Sequence, residues 1–368
     1  MNSKFIEVFR PVIYEDSIEA AVDTLRSGWI GAGPKIQEFE KKFSNYIGAK
    51  YCVAVNSGTS AIHLALKCLN LPEKSKILTS PINYISVIHT ILYDKNIPKF
   101  SNIEKRTGNM SVESLKKKLT NDTRAILCVH IGGYPCDIDE IKELADNRNI
   151  PLIEDCANAI GSIYKGKIIG NGSLCCFSFS FPKAITGIEG GAIVTSQQEY
   201  AEKARILRSL GAENEKKPNK LIIKSPHIEE LGYRYYWNDV MASIAIKQLD
   251  HLEQDNQRRK LIAEKYLTEL SNNNEVHLPD YKSNRVSSYF FLPIFFENRN
   301  RLAKKLYNHK IRSKIYFQRC DNCYNYSNKH EKLPNTDWYS KHELTLPINV
   351  SITDEEIDYI IKTVRKGW

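Results

Sequence analysis

The sequence predicts an α/β protein with a large domain built on a mostly parallel sheet and a smaller C-terminal α+β domain. Apolar strand-like runs alternate with helix-like segments through most of the chain, and this pattern changes near residue 250. Strands regularly separated by helices are typical of parallel sheets that are covered on both faces. We therefore expect the large domain over residues 1–249 and the small domain over residues 250–368.

Hydrophobic periodicity, together with glycine and proline positions, predicts the individual elements. Before residue 250, helices are predicted over residues 15–28, 35–47, 61–69, 137–147 and 198–210, and strands over residues 51–55, 125–130, 151–155, 174–181 and 191–196. Asp137 and Glu140 have the spacing of a capping box at the start of the fourth helix. After residue 249 a polar helix over residues 250–272, an aromatic strand over 288–296, another helix and a final helix over 353–366 are predicted.

The composition is that of a globular protein. The chain has 368 residues, with 52 Lys and Arg against 43 Asp and Glu, and 42% of its residues are hydrophobic. These values exclude a disordered chain and a collagen-like fibre. The basic residues are spread along the chain without a long block or a DNA-binding motif, so we expect no nucleic-acid partner. The longest apolar run, residues 289–296, is too short to span a bilayer, so we expect no membrane partner.

The cysteines indicate a reducing compartment. Their number, nine, is odd, and Cys128, Cys175 and Cys176 lie inside apolar strand-like runs. Buried, reduced thiols of this kind are typical of cytoplasmic proteins, and the N-terminus has no signal-peptide core. Cys320 and Cys323 form a single Cys-x-x-Cys without a second pair, so we expect no metal site.

A turn rich in Gly, Ser and Thr follows the first predicted strand. Gly58, Thr59 and Ser60 lie between the strand over residues 51–55 and the next helix. This arrangement directs backbone N–H groups and the positive end of a helix dipole toward an anion. Many turns of this composition only cap a helix. The turn alone therefore leaves a phosphate site and a simple helix cap as alternatives.

Two charged residues follow predicted strands at the edge of the sheet where ligands bind in open α/β folds. Asp155 ends one strand, and Lys183 comes just after another. Taken singly, each is more often a surface residue. Together they meet two requirements of pyridoxal 5′-phosphate (PLP): a desolvated lysine that bonds to the aldehyde and a carboxylate that faces the pyridinium nitrogen. Ser178 could add a hydroxyl to the phosphate turn, and Tyr84 could cover the ring.

These motifs resemble those of the DegT family of PLP-dependent sugar aminotransferases, which have the aspartate-aminotransferase fold of type I. The most specific part of the resemblance is Ser178, then Lys183 five residues later, then Glu189-Gly190-Gly191. The resemblance covers nearly the whole chain and includes residues 10–11, 27–34, 56–61, 154–167 and 346–356. It implies a seven-stranded-type sheet in a large PLP-binding domain.

The resemblance also implies a role for each matching residue. Lys183 would form the internal aldimine and move the proton, Asp155 would hold the pyridine nitrogen, and Tyr84 would stack on the ring. The turn with Gly58, Thr59 and Ser60, together with Ser178, would bind the phosphate. Asn158 stands where the family usually has Gln or His near the phenolic oxygen, and its shorter amide reaches less far.

One departure from the family pattern bears on assembly. The family has an Asn that reaches the cofactor phosphate of the neighbouring subunit, whereas this chain has Arg234 in the segment 232–239. An arginine can bind a phosphate as a charged fork. It could also bind an anionic substrate, or be an ordinary surface residue. Either of the first two roles implies a homodimer with shared active sites.

The resulting expectation is a transaminase that moves an amino group from L-glutamate to a keto-sugar nucleotide. Family members that act as dehydratases carry His at the position of Lys183, so the lysine favours amino transfer. The glycine loop 29–33 and Arg234 are candidates for binding the anionic parts of the substrates. The unusual segments 233–239 and 316–326 leave open a smaller acceptor, such as a phosphorylated triose or a keto-cyclitol. A non-catalytic binding protein is a third alternative, without a motif in its favour.

Overall fold

The computed structural model describes residues 4–212, 227–323 and 332–368, so the end of the 316–326 segment lies outside the described residues. The helices are α1 (Glu15–Arg26), α2 (Pro34–Ile47), α3 (Gly58–Cys68), α4 (Ser86–Tyr93), α5 (Val112–Lys118), α6 (Ile138–Asp146), α7 (Gln198–Arg208), α8 (Asp239–Leu270), α9 (Arg299–Asn308), α10 (Pro334–His342) and α11 (Asp354–Arg365). The strands are β1 (Tyr51–Val55), β2 (Lys76–Thr79), β3 (Ile97–Phe100), β4 (Thr123–Val129), β5 (Leu152–Asp155), β6 (Ile163–Tyr164), β7 (Lys167–Ile168), β8 (Leu174–Ser178), β9 (Gly191–Thr195), β10 (Val276–His277), β11 (Arg285–Val286), β12 (Pro293–Phe296) and β13 (Glu343–Thr345).

A seven-stranded sheet forms the centre of the large part of the chain, with strand order β1-β9-β8-β5-β4-β2-β3. The pairs β8–β5, β5–β4, β4–β2 and β2–β3 are parallel. β9 runs antiparallel to both of its neighbours. The sheet is thus mostly parallel, and the predicted α/β class is confirmed. The carboxyl ends of β1, β2, β4, β5 and β8 consequently meet at one edge.

Helices cover both faces of this sheet because its strands are apolar on both sides. On β8, Cys176 packs into a core with residues of α3, α4 and α7, whereas Phe177 packs into a second core with residues of α2 and α8. Successive side chains of a strand point to opposite faces, so each strand contributes to both cores. The two cores fix the carboxyl edge of the sheet between rigid helices.

Helix α8 is 32 residues long and begins eleven residues before the predicted start at residue 250. The side chain of Asn238 caps it by accepting the N–H of Met241 at 2.9 Å. Its first half is largely apolar and packs against α1 and α2, whereas its second half contributes Ile262 and Tyr266 to a separate C-terminal core. The change in composition at residue 250 therefore marks a change of partner within one helix. The domain boundary at 249/250 stays a prediction.

The C-terminal core is built on a three-stranded sheet with the order β10-β12-β13. Residues of α8, α9 and α11 cover it. The aromatic strand predicted over residues 288–296 is shorter in the structure, where β12 covers Pro293–Phe296. Tyr289 has a positive φ of 50°, which a strand does not accommodate. The residues before β12 are thereby free to turn Phe290 and Phe291 toward the large part of the chain.

The predicted capping box at α6 is wrong. Asp137 occupies the N-cap position of α6 but makes no side-chain cap hydrogen bond. Its carboxylate instead pairs with Arg285 Nη2 at 2.7 Å and with Lys282 Nζ at 2.8 Å. Both partners lie more than 140 residues further along the chain, which no local pattern could indicate. These ion pairs, with the pairing of β11 to β6 in a small sheet of the order β11-β6-β7, connect the C-terminal part to the large part of the chain.

All nine cysteines are free thiols, and seven of them are buried. In the described ranges, no helix combines the length and the apolar character needed to cross a bilayer.

Candidate active site

A cavity of about 370 Å³ lies at the carboxyl edge of the central sheet. The strand ends lead directly into it, because the residues after β1, the last residue of β5 and the last residue of β8 line its wall. The predicted site residues on that wall are Gly58, Thr59, Tyr84, Asp155, Asn158, Ser178 and Lys183. The structure thus brings together residues from five separate segments of the sequence, as expected for a binding site of an α/β sheet.

Lys183 is the nucleophile candidate in this cavity. Its Nζ donates a hydrogen bond to Asn158 Oδ1 at 3.0 Å and lies 4.6 Å from the centroid of the Phe290 ring. Burial lowers the pKa of Lys183 to about 8, although the carboxylate of Asp155 favours the charged form. Roughly a tenth of this side chain is therefore neutral amine at pH 7, far more than for an exposed lysine, and the neutral amine is the form that attacks an aldehyde.

Asp155 supplies a buried carboxylate next to that amine. The residue is 4% exposed, and its Oδ1 accepts the N–H of Ala157 at 2.9 Å. Burial raises the pKa of Asp155, and the N–H of Ala157 and the charge of Lys183 oppose this rise. A buried carboxylate of this kind gains stability from a cationic partner, such as a protonated ring nitrogen.

The turn after β1 has the local structure expected of an anion site. Ser57 caps α3 by accepting the N–H of Ser60 at 3.0 Å, and Gly58 and Thr59 form the first turn of the helix at the cavity. The first N–H groups of a helix have no partner within it. A Cβ atom at Gly58 would lie 2.7 Å from Ser178 Cβ, so the glycine lets the turn approach β8 closely.

Two predicted site residues are not among the residues that line the cavity. Ser60 is buried behind the turn, and its hydroxyl donates to Asn56 Oδ1 at 2.6 Å. Arg234 is exposed, and its backbone forms an isolated bridge with Ser209. Any contact of Arg234 with a cofactor would therefore be made outside the cavity of its own chain.

The glycine loop at residues 29–33 also lies away from this cavity. The backbone N–H groups of Gly33, Lys35 and Ile36 converge on the carboxylate of Asp239 at 3.0–3.1 Å. Trp29 lines a different, open depression next to α1. Within one chain, the loop thus binds a carboxylate of the protein itself.

Several residues of the cavity wall were not predicted as site residues. Lys314, Tyr316 and Phe317 come from the C-terminal part of the chain, more than 130 residues after Lys183, and of these only Tyr316 and Phe317 lie in the segment 316–326 that the sequence marks as unusual. Glu189 comes from the Glu-Gly-Gly motif, which the analysis used only as a spacing marker. The aromatic residues around Lys314 were the one sequence feature that could have indicated this part of the wall. Aromatic character does not show which part of the fold a segment faces.

A buried His–Glu–Cys cluster lies under the same sheet edge. Ligand atoms of His130, Glu154 and Cys156 lie within 4.8 Å of one another. His130 Nε2 is 3.3 Å from Glu154 Oε2, and the N–H of Cys136 donates to His130 Nδ1 at 3.0 Å. Glu154 precedes Asp155 on β5 and so points to the opposite face. These contacts give the His and Glu side chains partners within the protein.

Comparison with known proteins identifies the chain. The model of the DegT/DnrJ/EryC1/StrS aminotransferase family matches residues 11–365. The chain belongs to this family. GDP-perosamine synthase of Escherichia coli O157:H7 is 31% identical to it, over 99% of this chain and 99% of the relative. The sugar aminotransferase CalS13 of Micromonospora echinospora has the same fold, with a TM-score of 0.93, 25% identity and coverage of 99% of this chain and 100% of the other.

The aminotransferases of this family are PLP-dependent transaminases, and this chain, which has a lysine at position 183, is one of them. The structure of Spr1654 of Streptococcus pneumoniae in its PMP form covers 98% of this chain and 97% of its own, with a TM-score of 0.91 and 27% identity. The cavity fits PLP in three respects: a desolvated amine at Lys183, a buried carboxylate at Asp155, and a glycine at position 58 where a side chain would collide with Ser178.

Proposed function

We propose that this sugar aminotransferase moves an amino group from L-glutamate to the ketone of a sugar nucleotide and releases 2-oxoglutarate. The observation that carries the proposal is the pairing of a partly neutral Lys183 amine with the buried Asp155 carboxylate in one cavity. The E. coli relative named GDP-perosamine synthase supports a sugar linked to a nucleotide as the acceptor. The amino group is exchanged for the ketone oxygen, so the reaction needs no oxidant or reductant.

Lys183 moves the proton in this proposal. Bound PLP supplies an aldehyde that captures amines and a ring that withdraws electrons from the carbon bearing the amine. Lys183 Nζ would hold the resting cofactor at its aldehyde carbon, where the donor amine would displace it. As a neutral amine, the same Nζ would accept the proton from Cα of glutamate and, in the second half of the cycle, return a proton to the acceptor carbon.

The other residues of the cavity hold the cofactor. The Asp155 carboxylate would keep the ring nitrogen protonated, and the Asn158 amide, 3.0 Å from Lys183 Nζ, would face the phenolic oxygen. Thr59, Ser178 and the N–H groups of the turn at Gly58 would bind the phosphate. The remaining predicted residues contribute less directly: Ser60 by fixing the turn, and Tyr84 by covering the ring.

We further propose a homodimer in which each subunit completes the site of the other. The motivating observation is Arg234, an exposed guanidinium that does not line the cavity of its own chain. In the dimer it would bind the cofactor phosphate of the partner subunit as a charged fork. The free thiols suit a cytoplasmic enzyme.

Replacement of the proposed nucleophile tests the reaction. The Lys183→Ala variant should lose amino transfer from L-glutamate, measured as 2-oxoglutarate release with a panel of keto-sugar nucleotides and smaller ketones. It should also lose the near-visible absorbance that borohydride bleaches in the wild-type protein. Lys117→Ala is the matched control, because Lys117 is exposed and pairs with Glu113 on the surface of α5.

Near-normal turnover by the Lys183→Ala variant would refute the mechanism. Activity of the wild-type protein with small ketones, but with none of the sugar nucleotides, would refute the proposed acceptor while leaving amino transfer intact. A colourless wild-type protein that takes up no added PLP would refute both.

A further inference from the structure

Lys314 places a second cationic side chain on the wall of the active-site cavity. Its backbone is fixed to β13, because its N–H donates to Thr345 O at 3.1 Å and its C=O accepts the N–H of Thr345 at 2.8 Å. Its ammonium group lies 4.8 Å from the centroid of the Tyr316 ring and 5.2 Å from that of Phe9. The Lys314 side chain is exposed, and the pairing of its backbone with Thr345 sets where the charge enters the cavity wall.

An aromatic cluster joins this lysine to the reactive one. Phe290 lies 5.7 Å from Phe9 and 5.6 Å from Tyr316, measured between ring centroids. Lys183 Nζ lies 4.6 Å from the centroid of the Phe290 ring. The two ammonium groups consequently stand over neighbouring rings of one cluster and face the same cavity. The positive charge of Lys314 contributes to the low pKa of Lys183.

The nearby carboxylate of Glu343 does not use up the hydrogen-bonding capacity of Lys314. Glu343 Oε1 accepts the hydroxyl of Thr345 at 2.8 Å, and Oε2 accepts the N–H of Tyr316 at 3.1 Å. Burial raises the pKa of Glu343 to about 7, so this group is only partly ionised near neutral pH. An ammonium group has three donors, and aromatic faces are weak acceptors for them. Lys314 therefore retains donors for an anionic ligand.

We propose that Lys314 binds the α-carboxylate of the amino donor. This inference rests on the proposed function, because it assigns one part of the donor to one residue of the same site. The donor must place its amine where Lys183 reacts. In an α-amino acid the carboxylate is attached to the carbon that bears this amine, so it enters the cavity together with the reacting atoms. A fixed cation on the adjoining ring is suited to receive it.

The diphosphate of a sugar nucleotide is the competing ligand for this charge. In the acceptor, the sugar ring separates the diphosphate from a ketone on a distant ring carbon. A cation close to Lys183 faces the reacting end of that molecule, where it carries no charge. Proximity to Lys183 thus favours the donor carboxylate over the acceptor diphosphate.

The test uses the holoenzyme and the first half of the reaction, which needs no acceptor. L-Glutamate is mixed with wild-type, Lys314→Met and Lys314→Arg enzymes, and the loss of cofactor absorbance is followed in single turnovers. The Lys314→Met change should raise the donor concentration for half-maximal rate about 10- to 100-fold, the range expected for one charge-assisted hydrogen bond. Lys314→Arg should retain most of the affinity because it keeps the charge.

Lys105→Met is the matched control. Its ammonium also lies over an aromatic ring, 4.5 Å from the centroid of Trp338, but Lys105 does not line the cavity. A second readout is 4-aminobutyrate, which carries an amine and a distal carboxylate but lacks the α-carboxylate. Wild-type enzyme should prefer glutamate to this compound, and Lys314→Met should lose most of that preference. Packing damage alone would not remove discrimination between two donors.

Three results would overturn the proposal. One is an unchanged donor dependence in Lys314→Met; another is a raised KM for the sugar nucleotide alone, which would assign Lys314 to the diphosphate. The third is an equal loss of maximal rate in the Met and Arg variants with the preference for glutamate kept. If the wild-type enzyme reacts with another α-amino acid but not with glutamate, the proposed donor is wrong, and the same comparison is run with that amino acid.

Discussion

The amine of Lys183 has a lowered pKa because of its surroundings. An exposed lysine is almost entirely protonated at neutral pH, with a pKa of about 10.4. In this cavity, burial lowers the pKa of Lys183 to about 8. The neutral amine therefore becomes the main form above about pH 8, roughly two units earlier than for a surface lysine. The same side chain would be a poor nucleophile on the surface of α5.

This shift predicts how the apoprotein captures its cofactor. The rate at which PLP bonds to Lys183 should rise with pH, with its midpoint near pH 8, because only the neutral amine attacks the aldehyde. The growth of near-visible absorbance after mixing apoprotein with PLP measures this rate. A midpoint near pH 10 would show that the amine is solvated and would contradict the burial argument.

Asp155 and Lys183 could be predicted from sequence, whereas Lys314 could not. Both predicted residues follow apolar strand-like runs, and ligands of α/β folds bind at the ends of such strands. Lys314 precedes an aromatic pair without a regular element to orient it. Its place on the cavity wall depends on the pairing of its backbone with Thr345 and on the packing of Tyr316 against Phe291. Contacts of this kind join distant parts of the chain and leave no local pattern.

At the scale of elements, apolar content predicts buried strands well. The predicted strand at residues 51–55 coincides with β1, and those near β4, β5, β8 and β9 differ from the structure by a few residues at most. Strands β2 and β3 were not predicted. β3 has alternating exposed and partly buried residues at the edge of the sheet, so its composition is that of a surface segment. An edge strand needs less apolar content than a central strand, because it has a neighbouring strand on only one side and its other edge is open to solvent.

The predicted start of α8 shows a different cause of error. Its first half has few polar residues because α1 and α2 cover it, and a helix surrounded by other elements lacks a strong amphipathic period. The predicted helix begins at residue 250, where polar residues alternate with apolar ones in the helical period. Tertiary burial thus concealed the first three turns of the helix.

The turn between β1 and α3 predicts a steric effect on cofactor affinity. Gly58→Ala should raise the dissociation constant for PLP by about 10-fold, because overpacking costs about 1–3 kcal/mol. The new Cβ would lie 2.7 Å from Ser178 Cβ and push the turn away from the cavity. Titration of the apoprotein with PLP, followed by absorbance, measures the change.

Gly31→Ala is the control for this experiment, since a Cβ at Gly31 would have nothing within 4 Å in its own chain. Pyridoxal without the phosphate gives a second comparison. Its weaker binding should change less in Gly58→Ala than that of PLP, because the turn contacts the phosphate in the proposed site. An equal loss for both compounds would indicate general damage to α3.

At the scale of the whole molecule, the active site is assembled from both parts of the chain. The large part contributes Asp155 at the end of β5 and Lys183 in the segment after β8, and the C-terminal part contributes Lys314 and Tyr316. The contacts that hold these parts together include the ion pair between Asp137 and the buried Arg285, the pairing of β11 with β6, and the packing of Phe290 and Phe291 in the core of the large part. A displacement of one part would change the distance between the two lysines and hence the electrostatics of the reaction.

The proposed homodimer predicts complementation between two defective variants. Lys183→Ala removes the nucleophile, and Arg234→Ala should weaken PLP binding in the partner's site. When both variants are mixed and allowed to exchange subunits, about half of the dimers contain one chain of each kind. In each mixed dimer, one site carries both lesions and the other carries none. Activity at limiting PLP should therefore recover to about a quarter of the wild-type value.

The same mixture distinguishes the alternative placements of Arg234. If Arg234 acts within its own chain, each site of a mixed dimer carries one lesion, and the mixture stays as inactive as the two variants alone. If Arg234 is an ordinary surface residue, Arg234→Ala is active before mixing. Size-exclusion chromatography with light scattering supplies the control, because a monomeric wild-type protein would exclude shared sites whatever the mixture shows. Recovery that appears only on subunit exchange would assign the guanidinium to the neighbour's cofactor site.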